Sequence, residues 1–262
     1  MGNVVIYDSG VGGLTIWDAV RQQSPALDTV FVSDNEAFPY GTKSDTDLLL
    51  RIHHVVNAIA SCYSPDALVV ACNTASTVAL PSLRAEFDFD IVGVVPAIKP
   101  AAAATKTGKI GLLATPATVR RAYTQQLIAE FAHNVDVIKI GSSQLVELAE
   151  AKLRGAKVVD EDLAPILSPL DNHVDIDVVV LACTHFPLLT DEIAAYFCAR
   201  NRSITLLDSA AAVARRVASL DVTQTSSVGR AVAVFTRQLS SDTLQTGLYE
   251  MGFSEVQVLN VE

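Results

Sequence analysis

A chain of 262 residues, half of them hydrophobic and carrying a formal charge of −10, can bury a large core in one sizeable domain or two small ones. The acidic balance excludes a nucleic-acid-binding surface, which needs clustered Lys and Arg, and no apolar run approaches the roughly 18 residues of a membrane span. Four cysteines, Cys62, Cys72, Cys183 and Cys198, form no CxxC pair, which argues against a disulfide framework or a zinc site. The first residues, Met1 to Asp8, run directly into a strand without a charged, cleavable leader, and Ile6 stands where myristoylation needs Ser or Thr. The expectation is a soluble cytoplasmic protein with no membrane anchor.

In chain order, Asn3 to Tyr7 reads as a buried strand closed by Asp8-Ser9-Gly10-Val11-Gly12-Gly13, with a helix from Leu14 to Gln22. The glycines permit a tight turn, but neither the dinucleotide spacing nor a P-loop lysine is present, so Asp8 and Ser9 are read as facing a small ligand rather than a nucleotide. Thr29 to Ser33 is a second strand, followed by Asp34 and the turn Phe38-Pro39-Tyr40-Gly41. Asp45 to Ser61 has the apolar spacing of a core-facing helix in Ile52, Val55, Val56 and Ile59, and its His53 and His54 read as structural.

Two strands then stop at a thiol. Val69-Val70-Ala71 leads into Cys72-Asn73-Thr74, and Val179-Val180-Leu181-Ala182 into Cys183-Thr184-His185. Around them, helices are expected over 77–87 and 119–131, and strands over 91–95, 109–114, 135–140, 204–207, 228–238 and 256–261. A helix carrying Glu147 and Glu150 follows Gly141-Ser142-Ser143, and another runs from Ala210 to Ser219. The stretch from Pro96 to Ala104 marks a crossing between domains.

The architecture implied is α/β: two similar doubly wound domains with mainly parallel sheets, residues 1–96 with 207–262 and residues 97–206. Ser9 precedes Thr115 by 106 residues and Cys72 precedes Cys183 by 111, the mark of an internal duplication. Related by a pseudo-two-fold, the halves would set the two thiols face to face across an active-site cleft. In open α/β sheets ligands gather at the carboxyl ends of the strands, where both cysteines fall.

A carbon acid held between two thiols can lose a proton from one face and gain one on the other, which inverts a stereocentre without a cofactor. His185 could exchange a proton with Cys183, and Asp8 could do the same for Cys72. Ser9, Asn73, Thr74 and Thr184, with helix N-termini, suit an amino-acid carboxylate.

Four stretches carry a family resemblance: Asp8-Ser9-Gly10-Val11-Gly12-Gly13-Leu14-Thr15, Phe38-Pro39-Tyr40-Gly41-Thr42-Lys43-Ser44, Ala71-Cys72-Asn73-Thr74-Ala75 and Cys183-Thr184-His185-Phe186-Pro187-Leu188-Leu189. In this order, and continuing to Asp208-Ser209, the sequence resembles bacterial glutamate racemases. The resemblance implies a cofactor-independent enzyme that interconverts L- and D-glutamate, the D-isomer serving peptidoglycan synthesis. It makes Cys72 and Cys183 the acid/base pair, Cys183 acting on L-glutamate and Cys72 on D-glutamate. Asp8, Ser9, Tyr40, Gly41, Asn73, Thr74, Thr184 and His185 would line the pocket, with Asp34, Glu150, Thr115 and Thr118 at family positions of lesser weight. A homodimer and a cell-wall precursor activator are the partners it brings into view. Ser142-Ser143-Gln144-Leu145 departs from the family's Cys-Pro-Leu-Phe before the helix carrying Glu150, and Phe186 replaces a tyrosine.

Three rival readings are a relative acting on aspartate or a hydantoin, a thiol redox protein, and an inactive amino-acid-binding module. Asn73-Thr74-Ala75-Ser76 and Cys183-Thr184-His185 favour glutamate. The missing CxxC disfavours redox exchange, and retention of both cysteines with His185 disfavours an inactive module.

Overall fold

The structure, a computed structural model, describes residues 3–224 and 228–261. Met1 and Gly2, part of the reading of the chain's start, lie outside them. The chain divides into two compact units, Met1–Val94 with Ala210–Glu262, and Val95–Ser209.

The first unit begins with strand β1 (Asn3–Asp8), helix α1 (Leu14–Gln23), strand β2 (Asp28–Ser33) and a single 3-10 turn at Tyr40–Thr42. Helix α2 (Asp45–Tyr63), strand β3 (Ala67–Val70), helix α3 (Asn73–Glu86) and strand β4 (Asp90–Gly93) follow. The second unit holds α4 (Ile98–Ala104), β5 (Lys109–Ala114), α5 (Pro116–Arg120), α6 (Ala122–Phe131), β6 (Asp136–Gly141), α7 (Gln144–Leu153) and α8 (Asp160–Asp171). It ends with β7 (Val178–Ala182), a 3-10 helix at Phe186–Leu189, α9 (Thr190–Cys198) and β8 (Thr205–Leu207). The chain then re-enters the first unit through α10 (Ala210–Ala218), β9 (Ala231–Phe235), α11 (Asp242–Glu250) and β10 (Glu255–Val258).

Both sheets are parallel throughout, in the orders β10-β9-β2-β1-β3-β4 and β6-β5-β7-β8. A parallel sheet is covered on both faces, which is why its strands read as unbroken apolar runs. In the first unit Val5, Tyr7, Val30, Val32, Leu68 and Val70 pack with the α2 stripe of Leu48, Ile52, Val55, Val56 and Ile59. On the opposite face Phe31 lies against Phe253, which stacks on Trp17 of α1 at 4.1 Å between ring centroids. α2 starts where Ser44 accepts the Asp47 N–H, with Asp45 and Asp47 in its first turn, and stops at Ser64 in a left-handed conformation.

The two units repeat one plan. Within the first sheet the run β2-β1-β3-β4, and in the second sheet the run β6-β5-β7-β8, places the unit's first strand between its second and third. Each unit therefore has a topological switch point between its first and third strands, where ligands bind in open α/β sheets. The register aligns Tyr7 with Val70 and Ala114 with Ala182, so the segments leaving these strands emerge side by side within each unit.

Several elements differ from the sequence expectation. α3 starts at Asn73, immediately behind Cys72, because Cys72 is extended and serves as the N-cap. The helix expected over 119–131 is broken at Arg121, whose ψ of 142° leaves the helical region, and Thr124 Oγ1 donates across the break to the Thr118 carbonyl at 2.7 Å. α8 and α11 were not legible: α8 contains Pro165 and Pro169, which mask its periodicity. The strand expected over 228–238 is only Ala231–Phe235, and the Val256–Val261 strand is Glu255–Val258. His53 is structural, its Nδ1 2.5 Å from Glu86 Oε2 and its Nε2 2.9 Å from Ser82 Oγ, so it ties α2 to α3. Among the described residues no helix is long and apolar enough to cross a membrane.

The chain entering β9 passes close to the start of β2. Gly229 donates to the Pro25 carbonyl at 2.8 Å, and a Cβ at Gly229 would sit 1.9 Å from the Leu27 carbonyl oxygen. Backbone cannot yield there as a side-chain tip can. Gly229→Ala is expected to destabilise the first unit by about 2–4 kcal/mol, read from urea unfolding followed by Trp17, the sole tryptophan of the chain.

Candidate active site

At the switch point of the first unit, β1 ends in Asp8 and the β3–α3 junction carries Cys72. Asp8 is fully buried. Its Oδ2 accepts the Gly13 N–H at 2.6 Å and its Oδ1 the Ser9 N–H at 2.7 Å, which folds the glycine turn around the carboxylate. Gly13 is required by this closeness, since a Cβ there would stand 2.7 Å from Asp8 Cβ. Ser9 Oγ lies 3.4 Å from Asp8 Oδ1 and 3.7 Å from Cys72 Sγ, so the hydroxyl links the carboxylate to the thiol.

Cys72 is 6% exposed and caps the N-terminus of a helix of 14 residues. The dipole of that end favours negative charge on the side chain at the cap position. Asn73 and Thr74 form the first turn, both nearly buried, and Asn73 Nδ2 is a buried donor with no hydrogen-bond partner. A buried, unpaired amide is costly, and an anionic or carbonyl ligand at the helix end would satisfy it.

The second unit has the same placement with different chemistry. Cys183 directly follows β7 and is 8% exposed. Its Sγ lies 3.9 Å from His185 Nδ1, and His185 Nε2 lies 3.0 Å from Glu150 Oε1 on α7. Glu150 Oε2 in turn accepts from Arg154 at 3.1 Å. A carboxylate only accepts, so Nε2 carries the ring proton, and in the neutral imidazole Nδ1 is then the acceptor facing the thiol. Lys152, on the same helix, donates to the Leu188 carbonyl at 2.8 Å and pairs with Glu192, holding the 3-10 helix that His185 caps. Thr184 is buried between cysteine and histidine. Thr115 follows β5 and caps α5, its Oγ1 accepting the Thr118 N–H at 3.3 Å and donating to Thr118 Oγ1 at 3.0 Å.

Sequence reasoning placed Tyr40 in the pocket, and the structure gives its side chain another partner set. Tyr40 is buried, donates to Asp34 Oδ2 at 2.6 Å, and its hydroxyl also meets that of Tyr7. Arg51 makes a two-pronged pair with Asp34, Nε to Oδ2 at 2.9 Å and Nη2 to Oδ1 at 2.7 Å, while Thr236 donates to Oδ1 at 2.7 Å. Gly41, partly exposed, lies in the 3-10 turn behind Tyr40. The Tyr40 hydroxyl is engaged inside the unit, which leaves the backbone of this turn and Gly41 as the groups it could offer a ligand.

Sequence reasoning missed Arg51, Thr236, Tyr7, Lys152 and Arg154 and left Glu150 with little weight. Only Glu150–Arg154 left a readable trace, the i,i+4 spacing of an ion pair on one helix face.

Comparison with known proteins bears on the family and the fold. The sequence model of Asp/Glu/Hydantoin racemases matches residues 15–217. A glutamate racemase of Pectobacterium carotovorum is 51% identical over 83% of this chain and 75% of its own length. One from Photorhabdus laumondii is 47% identical over 98% and 90%. Among solved structures, Escherichia coli glutamate racemase in complex with L-glutamate and the activator UDP-MurNAc-Ala superposes with a TM-score of 0.92 at 43% identity, covering 100% of this chain and 99% of that one. The fold and the strand-end thiols define a two-unit α/β amino-acid isomerase. The chain belongs to the Asp/Glu/hydantoin racemase family.

Burial alone would push the Asp34 carboxyl up, but the bonds from Arg51, Tyr40 and Thr236 outweigh it and hold the group below the usual carboxylate range. A carboxyl lowered on folding adds stability above its unfolded value of about 3.9, and this is lost as pH falls through the folded value. The gap in urea midpoint between the parent chain and Asp34→Asn is therefore expected to be flat from neutral pH to about 5 and to narrow below about 4. A constant gap across that range would show that the carboxylate is not held ionised by this network.

Proposed function

We propose that the protein is a cytoplasmic glutamate racemase that interconverts L- and D-glutamate by proton transfer at Cα and supplies D-glutamate for peptidoglycan synthesis. The observation that carries this reading is the matched pair of strand-end cysteines, each at the switch point of its own unit and each backed by a polar group suited to moving a proton. The family relationship, at about half identity with glutamate racemases, supplies the substrate.

In this reading Cys183, its proton taken up by His185 Nδ1, removes the Cα proton of L-glutamate as a thiolate. The electron pair left on Cα delocalises into the substrate carboxylate, and Cys72 delivers its own proton to the opposite face. D-glutamate runs the same path backwards with Cys72 as base, its charge stabilised by the α3 N-terminus and its proton passed toward Ser9 and Asp8. Glu150, braced by Arg154, fixes the tautomer and orientation of His185. Asn73, Thr74 and Thr184, with the N–H groups of the α3 end, take the substrate carboxylates, and the Tyr40–Gly41 turn completes the pocket. Proton transfer between two thiols and a carbon acid needs no cofactor. A homodimer, and activation by a cell-wall precursor like the one bound by the Escherichia coli relative, belong to this proposal.

Cys72→Ala and Cys183→Ala are each expected to cut turnover at least about a thousandfold in both directions, since every turnover needs one base and one acid. Cys62→Ala and Cys198→Ala, exposed on α2 and α9, should keep most activity. The check is a chiral assay with purified enzyme and glutamate, run beside aspartate. Near-normal turnover by either of the first two variants would sink the two-thiol reading, and turnover of aspartate alone would reassign the substrate.

Isotope labelling separates two bases from one. Starting from L-glutamate in D₂O and stopping early, D-glutamate should form already deuterated at Cα, because Cys72 carries a solvent-derived deuteron. The remaining L-glutamate should stay largely protiated, because the monoprotic Cys183 returns the same proton to its own face. Substantial early D-glutamate that keeps the substrate's proton would mean that one group serves both faces.

A further inference from the structure

The first unit buries a chain of polar groups that the proton transfers do not use. Tyr40 O–H donates to Asp34, so the hydrogen shared between Tyr7 and Tyr40 comes from Tyr7. The chain therefore runs from Tyr7 on β1 through Tyr40 in the 3-10 turn to Asp34 after β2. There Arg51 of α2 and Thr236, just past β9, close it. Tyr7, Tyr40 and Asp34 are 0%, 1% and 0% exposed, while Arg51 reaches solvent and shares its Nη2 with Glu36. Asp34 has Arg51 as its counter-ion, and burial keeps both phenols un-ionised and able to donate.

An apolar contact could have packed the 40–42 turn without the desolvation cost of five polar groups. What a saturated polar network adds is direction, because each hydrogen bond is lost with small displacements. This network lies at the carboxyl ends of β1, β2 and β9 and grips the turn through its one fully buried side chain. We propose that Tyr7 and Arg51 are positioning residues that act through Tyr40 to hold the backbone of the Tyr40–Thr42 turn in place to receive the substrate. The inference rests on the glutamate racemase reading above.

The test compares Tyr7→Phe, which removes one oxygen and no carbon, with Arg51→Met and Arg51→Lys, measuring KM and kcat in both directions and the unfolding midpoint. Tyr7→Phe and Arg51→Met are expected to raise KM for L- and D-glutamate together by about tenfold with kcat within about threefold, as loss of positioning for binding predicts. Arg51→Lys, which keeps the charge but not the two-pronged geometry, should recover part of the loss. A lowered unfolding midpoint with unchanged KM would make the network a plain fold element and overturn the inference. So would a fall in kcat at unchanged KM, which would move these residues into proton transfer, or failure of Tyr7→Phe to fold. A parent chain that does not racemise glutamate would instead remove the underlying reading before the variants are compared.

Discussion

The arrangement of the first unit depends on a single buried carboxylate. Asp8 sits at the end of the central strand, with one oxygen on the Ser9 N–H and the other on the Gly13 N–H, while its carbonyl takes the Asp34 N–H. One residue earlier, the Tyr7 carbonyl takes the Ala71 N–H. The exits of β1, β2 and β3 are thereby anchored to two consecutive residues, and Cys72, one residue past Ala71, inherits its position from them. A buried carboxyl that loses its hydrogen bonds costs free energy, so the turn cannot relax away from Asp8 without exposing that cost.

The two thiols are alike in placement and unlike in surroundings. Cys72 caps a helix of 14 residues and neighbours a hydroxyl tied to a carboxylate, whereas Cys183 precedes only a short 3-10 helix and faces an imidazole tied to a carboxylate. A long helix offers a fixed field, and an imidazole offers a site that can take and return a proton. Under the proposed reading, one sulfur is served by the field of a helix end and the other by an imidazole neighbour. Duplication of a fold preserves where a strand ends more readily than what stands beside it.

Much of this was legible in the sequence because the signals were local. The runs Val4 to Tyr7, Leu68 to Ala71 and Val178 to Ala182 announce strands by composition, and each cysteine is marked by the polar residues that follow it. The exact start of α3 was not legible, because Asn73, Thr74 and Ser76 favour turns as readily as a first helical turn. Arg51 and Thr236 were invisible for another reason. They lie 17 and 202 residues from Asp34, and only the folded sheet brings them together. Glu150 was underweighted because Ser142 and Ser143 break the family pattern ahead of it. In the structure Ser142 Oγ accepts the Leu145 N–H at 3.2 Å, so the helix start is supplied by a serine and Glu150 keeps its place.

The chain leaves its first unit at Val94 and returns only at Ala210, which has a consequence for synthesis on the ribosome. When residues 1–94 have emerged, β2 is still an outer strand, because β9 pairs along it only when residues 231–235 arrive. Its unpaired edge and the Asp34 oxygen destined for Thr236 stay open while the whole intervening unit is made. An apolar edge of this kind is where nascent chains stick to one another. The returning segment is therefore a built-in seal, closing the β2 edge and the Asp34 network in one step when it pairs.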